Sequence, residues 1–537
     1  DWRRVNVTNP ELISQIMDYI GPSLKRHEGC DIIDMYPGAG AWSNALHERL
    51  RPRSHILMEP NAGFYQPFLQ SLLDKPGVVM EAKDGIDWKE LGEILTPKYL
   101  PHQVEKPRTY GPDAEPPQRN DTLLVTMNLS MHPSRRFLGF DSLSLMVIHQ
   151  LIGAIRTSGL FQKYGLVRML IWTKPDDMRT ALVRHVQGRR RGIIDAEMNT
   201  DWVREVAGLG LVEPTERKKG HWSRSRHLDV QSAFNAARRM REHGIIAPPN
   251  RQSELLRMVQ PFLDSGLTEM PLSETPGSGA HIAEELEELQ RRVSAGEIVK
   301  GTAAFLKYTR RKHYYNWIMA RNNQKADLMA GLDAVKDLYD AGDLEKAAQA
   351  DAEWNQRFTG FVGPTRVQTI SARDNEHIFY QDPPVLHWDR RLYEPLIVRP
   401  EDFYPNIPCA LLDIQPKAPH WLFRDIGPNS VYRAGDFFEL ILRHTGNSAA
   451  MPLSKAFASI YPGVKEGVLD QCRSIHDTSR HGSPVSGWGE LSTRCLNEEQ
   501  WVDIMQSWVH WPFGPNFFEL VSSLVVDDPG MGASEDD

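Results

Sequence analysis

Short apolar runs alternate with segments of helical spacing over the first 180 positions of the chain. The first run, at residues 31–35, leads through a Pro-Gly-Ala-Gly turn into a helical pattern. Further runs of strand length lie at 54–59, 77–83, 122–128 and 166–172. Strands that alternate with helices are typical of a mostly parallel sheet covered by helices on both faces. The pattern therefore predicts an α/β, Rossmann-like fold.

The first turn and the strand ends carry polar residues that predict a ligand site. Gly38 and Gly40 lie in the turn, where the missing Cβ lets the backbone approach a nucleotide-like ligand. Glu59 ends the second strand about 20 residues later, the spacing at which an acid accepts ribose hydroxyls. A surface acid at a strand end is the alternative for Glu59. Asp84 follows the third strand, where it could meet an adenine amino group, and Asn128 ends the fourth.

Beyond this sheet the pattern is mainly helical. Asn9-Pro10 predicts a helix start before the first strand, and residues 282–293 place their apolar positions on one helix face. An acidic helix is predicted at 326–358, after a basic segment at 300–325, and a further strand at 408–416. These patterns divide the chain into five predicted segments: a Rossmann-like core at 1–178, a basic and helical insertion at 179–384, remaining core strands at 385–430, a C-terminal helical domain at 431–525, and an acidic tail at 526–537. We expect the tail to be disordered.

Composition restricts where a partner could bind. The 537-residue chain is 41% hydrophobic and 25% charged, as in globular proteins. No run approaches 18 uninterrupted apolar residues, so no membrane span is predicted. The formal charge of −8 means that nucleic-acid contacts must come from local basic patches. Four scattered cysteines give neither a disulfide framework nor a metal site.

Two segments are locally basic. Residues 179–227 contain eleven Lys or Arg against six acids, and residues 300–325 contain seven Lys or Arg, no acid, three tyrosines and Trp317. Cations mixed with aromatic rings are typical of surfaces that bind nucleic acid. A solvated charged loop, or the buried side of a helical hairpin, is the alternative in each case. The candidate nucleic-acid-binding residues are Arg189, Arg190, Arg191, Lys218, Lys219, Arg224, Lys307, Arg310, Arg311 and Lys312.

Several motifs resemble those of the small-subunit rRNA adenine dimethyltransferase superfamily. They are Val7-Thr-Asn-Pro-Glu-Leu, Ile33-Asp-Met-Tyr-Pro-Gly-Ala-Gly, Leu57-Met-Glu-Pro-Asn, Asp84-Gly-Ile-Asp-Trp and Val125-Thr-Met-Asn-Leu-Ser. Within this superfamily the chain most resembles the fungal mitochondrial transcription initiation factors, the mitochondrial transcription factor B group. The resemblance covers residues 5–180 and 385–525.

The resemblance implies an S-adenosylmethionine-dependent methyltransferase fold with a large helical insertion and a small C-terminal α-helical domain. It places cofactor contacts at Val7, Tyr36, Gly38, Gly40, Glu59, Asp84 and Asn128.

Two departures from the family pattern bear on the chemistry. Tyr36 stands where active methylases have the first glycine of the turn, so its side chain should press where the methionine part of the cofactor lies. The family's catalytic motif of Asn, Leu or Ile, Pro, and Tyr or Phe here reads Asn128-Leu-Ser-Met131. The ring that would stack a flipped adenine is therefore missing. We expect lapsed catalysis, a vestigial Asn128, and neither a cofactor nor a metal.

The function implied by the resemblance is transcription initiation in the mitochondrial matrix. Such a factor binds promoter DNA and assists a single-subunit mitochondrial RNA polymerase in melting it. Two alternatives stay open. One is an active mitochondrial small-subunit rRNA adenine N6-dimethyltransferase that uses S-adenosylmethionine, and the other is a non-catalytic component of the mitochondrial ribosome. Only the family likeness distinguishes DNA from rRNA as the partner, since no residue pattern in the sequence does so.

Overall fold

An eight-stranded sheet lies at the centre of the fold in a computed structural model that describes residues 4–131, 140–210, 224–271 and 280–526. The strands are β1 (Asn6–Val7), β2 (Asp31–Met35), β3 (Ser54–Met58), β4 (Val78–Glu81), β5 (Arg119–Asn128), β6 (Leu166–Thr173), β7 (Thr200–Gly208), β8 (Leu396–Ile397), β9 (Phe403–Tyr404) and β10 (Ala410–Pro416). The strand order in the sheet is β4-β3-β2-β5-β6-β10-β7-β8. β1 and β9 pair separately as a two-stranded antiparallel sheet.

Helices cover the sheet and also form the insertion and the C-terminal part of the chain. Those of the first half are α1 (Pro10–Tyr19), α2 (Gly21–Leu24), α3 (Ala41–Leu50), α4 (Ala62–Leu73), α5 (Trp88–Ile94), α6 (Leu143–Thr157), α7 (Pro175–Ala181), α8 (Arg191–Asn199), α9 (Arg226–Glu242) and α10 (Glu254–Asp264). Those of the second half are α11 (Ala280–Ser294), α12 (Ala303–Asp340), α13 (Leu344–Thr359), α14 (Gly363–Phe379), α15 (Trp421–Arg424), α16 (Ala434–Thr445), α17 (Leu453–Ala458), α18 (Val464–Gly467), α19 (Arg473–His476), α20 (Glu498–His510) and α21 (Phe517–Val526).

The predicted α/β fold class is confirmed. β2, β3, β4, β5 and β6 are parallel neighbours, and the antiparallel β10 lies between β6 and β7. All eight residues of β6 are buried, as expected for a strand covered on both faces. The one cation in β6, Arg168, lies against Asp413 of β10 with two contacts of 2.7 Å. The sheet is therefore mostly parallel, with a late strand inserted antiparallel.

Each face of the sheet carries its own apolar core. One core joins the sheet to α1, α3, α9 and α10, and the other joins it to α5, α6 and α7. Asn9 caps α1 by accepting the backbone N–H groups of Glu11 and Leu12, so the predicted helix start is confirmed. Among the described residues, Leu143–Tyr164 is long and apolar enough to cross a membrane, and 56% of its 18-residue apolar window is buried within the fold.

The predicted boundary between the core and the insertion at residues 178 and 179 is wrong. β7 lies within the predicted insertion, yet it pairs with β10 in the central sheet. α9 and α10 also pack on the sheet. The pairing partner of β7 lies about 200 residues further along the chain, so a local pattern could not reveal it.

Among the described residues, the rest of the predicted insertion contains four helices of 15 residues or more, α11, α12, α13 and α14. α12 runs without a break to Asp340, so the predicted helix boundary near residue 326 is wrong. No glycine or proline interrupts residues 303–330, whereas Gly342 has a positive φ of 79° and Asp343 caps α13.

The C-terminal helices enclose a third apolar core. Trp501 and Trp508 of α20 lie in it, with 0% and 3% of their surface exposed, as their spacing predicts. Trp511 packs against the edge of this core. The acidic tail beyond residue 526 lies outside the described residues.

Candidate functional site

The carboxyl ends of β2, β3 and β5 meet at one edge of the sheet, where open α/β folds place their ligands. The structure brings the predicted cofactor residues together there. Val7, Tyr36, Gly40 and Asn128 line one small cavity at this edge. Glu59 and Asp84 reach the same place through contacts that involve Tyr36 and Arg4. The predicted cofactor residues therefore lie at one cleft.

The glycine turn after β2 is occupied by a residue of the chain itself. Gly38 has a positive φ of 58°, which disfavours any side chain. A Cβ at Gly38 would lie 1.9 Å from the Oδ1 atom of Asn6. The same Oδ1 accepts a hydrogen bond of 3.1 Å from the Ala39 backbone N–H. The close approach that requires glycine is thus made by Asn6 of β1, not by a nucleotide.

Glu59 forms a buried ion pair with Arg4. Two guanidinium nitrogens of Arg4 donate to the two carboxylate oxygens at 2.8 and 2.6 Å. Glu59 is 0% exposed and Arg4 is 3% exposed. One oxygen also accepts the Asn61 backbone N–H at 3.0 Å. Because both oxygens are engaged and shielded, the prediction that Glu59 accepts ribose hydroxyls is wrong for this conformation.

Tyr36 closes the cleft from the side of Asp84. Its phenol O–H donates to the Asp84 carboxylate, and its ring lies under the Arg4 guanidinium, 4.9 Å from the ring centre. Burial, reinforced by the hydrogen bond to Asp84, raises the pKa of Tyr36. Tyr36 itself has a positive φ of 61°, in the position where active methylases carry a glycine. Asp84 thus binds Tyr36 rather than an adenine.

Asn128 holds the N-terminal segment in place. Its Nδ2 donates to the Val5 carbonyl at 2.9 Å, and its Oδ1 accepts the Ser130 backbone N–H at 3.1 Å. The Val5 N–H donates in turn to the Ser130 carbonyl at 3.1 Å. The amide that would orient a target amine is therefore committed to the chain's own backbone.

The residues at this edge do not fit S-adenosylmethionine. The remaining cavity has a volume of about 20 Å³, which holds one water molecule. Drug-sized ligands occupy clefts of about 300 Å³ or more. The space is filled by residues 4–7, which we call the N-terminal plug. In the described ranges no three His, Cys, Asp or Glu side chains converge on a possible metal position.

Sequence reasoning missed the plug residues Arg4, Val5 and Asn6. Spacing carries no signal for them, since Arg4 and Glu59 are 55 positions apart. The one available hint is chemical, because a carboxylate buried at a strand end needs a cation.

Two predicted nucleic-acid contacts are internal instead. Arg189 is 1% exposed and donates to Glu197 and to the Arg494 carbonyl. Arg224 is 6% exposed and binds both oxygens of Asp389 at 2.8 and 2.9 Å. The predictions for Arg189 and Arg224 are wrong because carboxylates distant in sequence draw these guanidinium groups into the fold.

The remaining cations differ in exposure. Arg190 is exposed, while Arg191 pairs with Glu439. Lys218 and Lys219 lie outside the described residues. On α12, Lys307 and Arg311 both pair with Glu285 of α11, and the exposed Arg310 and Lys312 lie on the same helix.

Comparisons with known proteins agree with this geometry. Residues 6–204 match the family model of the ribosomal RNA adenine dimethylases. The proteins named mitochondrial transcription factor 1 of Saccharomyces paradoxus and Saccharomyces cerevisiae are each 22% identical to the chain over 179 residues. The alignment covers 33% of this chain and 47% of each relative, so it spans about half the length of the curated relatives. The resemblance to the mitochondrial transcription factor B group within the dimethylase superfamily is confirmed.

Proposed function

We propose that this protein is a mitochondrial transcription initiation factor that acts without a methyl donor. In this proposal it works in the matrix, binds promoter DNA and assists a single-subunit mitochondrial RNA polymerase in melting the duplex. The likeness to two proteins named mitochondrial transcription factor 1 supports the biological setting. The fold supports an origin in a methyltransferase.

The N-terminal plug is the observation that carries the proposal. A methylase of this fold needs an open cleft, a free acid for the ribose and an amide aimed at the target amine. Here Arg4 binds the acid, and the Val5 carbonyl accepts from the amide of Asn128. A transcription factor has no need of these groups for chemistry, so they can serve to stabilise the fold.

A promoter-melting assay tests the proposal directly. The full chain is mixed with the mitochondrial RNA polymerase of the same organism and a promoter that carries a fluorescent base analogue near the start site. We expect the fluorescence to rise when both proteins are present and to stay low with either protein alone. A promoter of the same composition in scrambled order is the matched control.

Calorimetric titration with S-adenosylmethionine separates the proposal from the methylase alternative. We expect no binding heat, whereas an active adenine dimethylase in the same buffer gives a clear isotherm. Tight binding, together with methyl transfer to small-subunit rRNA, would replace the proposed function with the enzymatic one. Binding to the small ribosomal subunit without melting or methylation would favour a ribosome component.

A further inference from the structure

The middle of α12 stands apart from the apolar cores. Its start is held by a cluster that contains Tyr308, whose hydroxyl donates to Gln290 of α11 at 2.7 Å. Its end is held by Leu328, Leu332 and Val335 against α13. Between these clusters, in the fully described stretch 309–327, Ile318 alone is buried. This central part of the helix is therefore open to a partner.

The open part is positively charged. Residues 309–327 contain five Lys or Arg and one acid, Asp327. Glu285 of α11 pairs with both Lys307 and Arg311, at 2.8 and 2.9 Å, and offsets one of their two positive charges. Within the described part of the chain, Arg310 and Lys312 have no carboxylate oxygen within 4.0 Å. The local charge contrasts with the net charge of −8 for the whole chain.

Four residues form a stripe on one face of this helix, which we call the aromatic stripe: Arg310, Tyr314, Trp317 and Arg321. Their spacing of four, three and four residues places them above one another. The Tyr314 and Trp317 rings stack with their centres 5.9 Å apart and their planes 18° apart. Trp317 is 52% exposed and Tyr314 is 37% exposed. Each ring covers part of the other, and the exposed remainder of the pair can contact a ligand.

The two ends of the aromatic stripe are cationic. The Arg321 guanidinium lies 4.4 Å from the centre of the Trp317 ring. Its Nε and Nη2 atoms are buried and have no hydrogen-bond partner among the residues that the structure describes. The stripe extends over about 16 Å at 1.5 Å per residue, the length of about five nucleotides spaced 3.4 Å apart.

We propose that the aromatic stripe binds single-stranded nucleic acid. Unpaired bases stack against the exposed surface of the Tyr314–Trp317 pair, and phosphates lie against Arg310 and Arg321. The ring faces favour this ligand over an acidic peptide, which would use the cations alone. They also favour a single strand over a duplex, since the bases of a duplex already cover each other's faces. The inference rests on the proposed function in that promoter melting supplies the separated strand.

Fluorescence anisotropy with the full chain tests the inference. The probes are a labelled 20-nucleotide single strand of mixed sequence and the matching duplex, each over a range of salt concentrations. The double variant Tyr314→Ala with Trp317→Ala should weaken single-strand binding about 10-fold or more, because stacking contributes strongly for each base. The variant Arg310→Ala with Arg321→Ala should reduce the log–log salt slope by about 1.4, at about 0.7 for each phosphate contact.

Matched variants control for changes in folding and for loss of any exposed ring. Tyr314→Phe with Trp317→Phe keeps both ring faces and should retain binding. Tyr380→Ala with Phe513→Ala removes two rings that are 60% and 83% exposed elsewhere and should also retain it. Unchanged affinity in the Tyr314→Ala, Trp317→Ala protein would overturn the inference, as would absence of single-strand binding by the unmodified chain at low salt.

An acidic partner would give a different pattern. Polyglutamate that competes with the single strand, through binding that depends on Arg310 and Arg321 but not on the rings, would overturn the inference in favour of an acidic protein. The promoter-melting assay is read separately. Ring-dependent single-strand binding without melting would leave the inference standing and remove the proposed function. Melting together with single-strand binding that survives loss of the rings would overturn the inference and leave the proposed function standing.

Discussion

At the scale of single residues, the buried pair of Arg4 and Glu59 decides the state of the cleft. A carboxylate with no exposed surface would be strongly disfavoured without a cation. The Arg4 guanidinium supplies that cation, and the Tyr36 and Tyr65 rings lie 4.9 and 5.1 Å from it. The pair is bidentate and enclosed, so its two members depend on each other.

Arg4→Met is expected to lower the free energy of unfolding by about 3–5 kcal/mol, because it leaves a buried carboxylate without its partner. Arg4→Met combined with Glu59→Gln should recover part of this loss, since the uncompensated charge is gone. Urea denaturation followed by tryptophan fluorescence measures all the variants. Additive effects of the two single substitutions would show that the pair is not coupled.

At the scale of elements, the short pairing of β1 with β9 keeps the N-terminal plug in the cleft. Asn6 and Val7 pair with Tyr404 and Phe403, directly after Asp402. Asp402 is 0% exposed and accepts hydrogen bonds from Arg251 at 2.6 and 2.9 Å. Burial alone would raise the pKa of Asp402, but the Arg251 guanidinium lowers it below its ordinary value.

Asp402→Ala is expected to lower the free energy of unfolding by about 3–5 kcal/mol, because the buried Arg251 then loses its carboxylate and keeps only the neutral acceptors of Gln15 and Ile397. The Asn9 side chain, which donates to Asp402 at 2.6 Å and caps α1, loses the same acceptor. Glu401→Ala, at the exposed neighbouring position, is the matched control and should change stability by less than about 0.5 kcal/mol. Equal effects of the two substitutions in urea denaturation would contradict this account.

At the scale of the whole molecule, stability depends on keeping buried histidines neutral. Burial, with Arg168 and Arg26 nearby, lowers the pKa of His27 to about 3. Burial and Arg390 lower the pKa of His387 well below its ordinary value. The unfolded chain takes up a proton on each histidine below about pH 6.5, while the folded chain does not. Their stabilising contribution is therefore complete above that pH and falls as the solution is acidified.

Acidification from pH 7.5 to pH 5.5 is expected to lower the free energy of unfolding, and His27 and His387 should contribute about 1.4 kcal/mol each. Other buried histidines add to the loss, since burial also lowers the pKa of His377 to about 4. His27→Gln or His387→Gln should each remove about 1.4 kcal/mol of this difference between the two pH values. His102→Gln, at an exposed position, is the control and should leave the difference unchanged. A pH dependence that is identical in all three variants would contradict the assignment.

Much of the sheet was predictable because strand runs and their polar ends are local features. The apolar run at residues 166–172 indicates a strand whatever its partners, and the structure has one at Leu166–Thr173. β7 was missed because its partner, β10, follows about 200 residues later. The cleft was likewise located from Gly38, Glu59 and Asn128, since parallel strands bring their carboxyl ends to one edge.

The sequence by itself determined which residues stand at the sheet edge and where the basic helix lies. Only the tertiary structure decided what those residues contact. Arg189 and Arg310 have the same chemistry in the sequence, yet Arg189 pairs internally with Glu197 while Arg310 stays exposed. The position of Glu59 in the sequence fits an acid that accepts ribose hydroxyls, but in the fold Glu59 pairs with Arg4. The physical reason is that a charge takes the nearest partner in space once water is excluded, and spatial neighbours are set by packing across the whole chain.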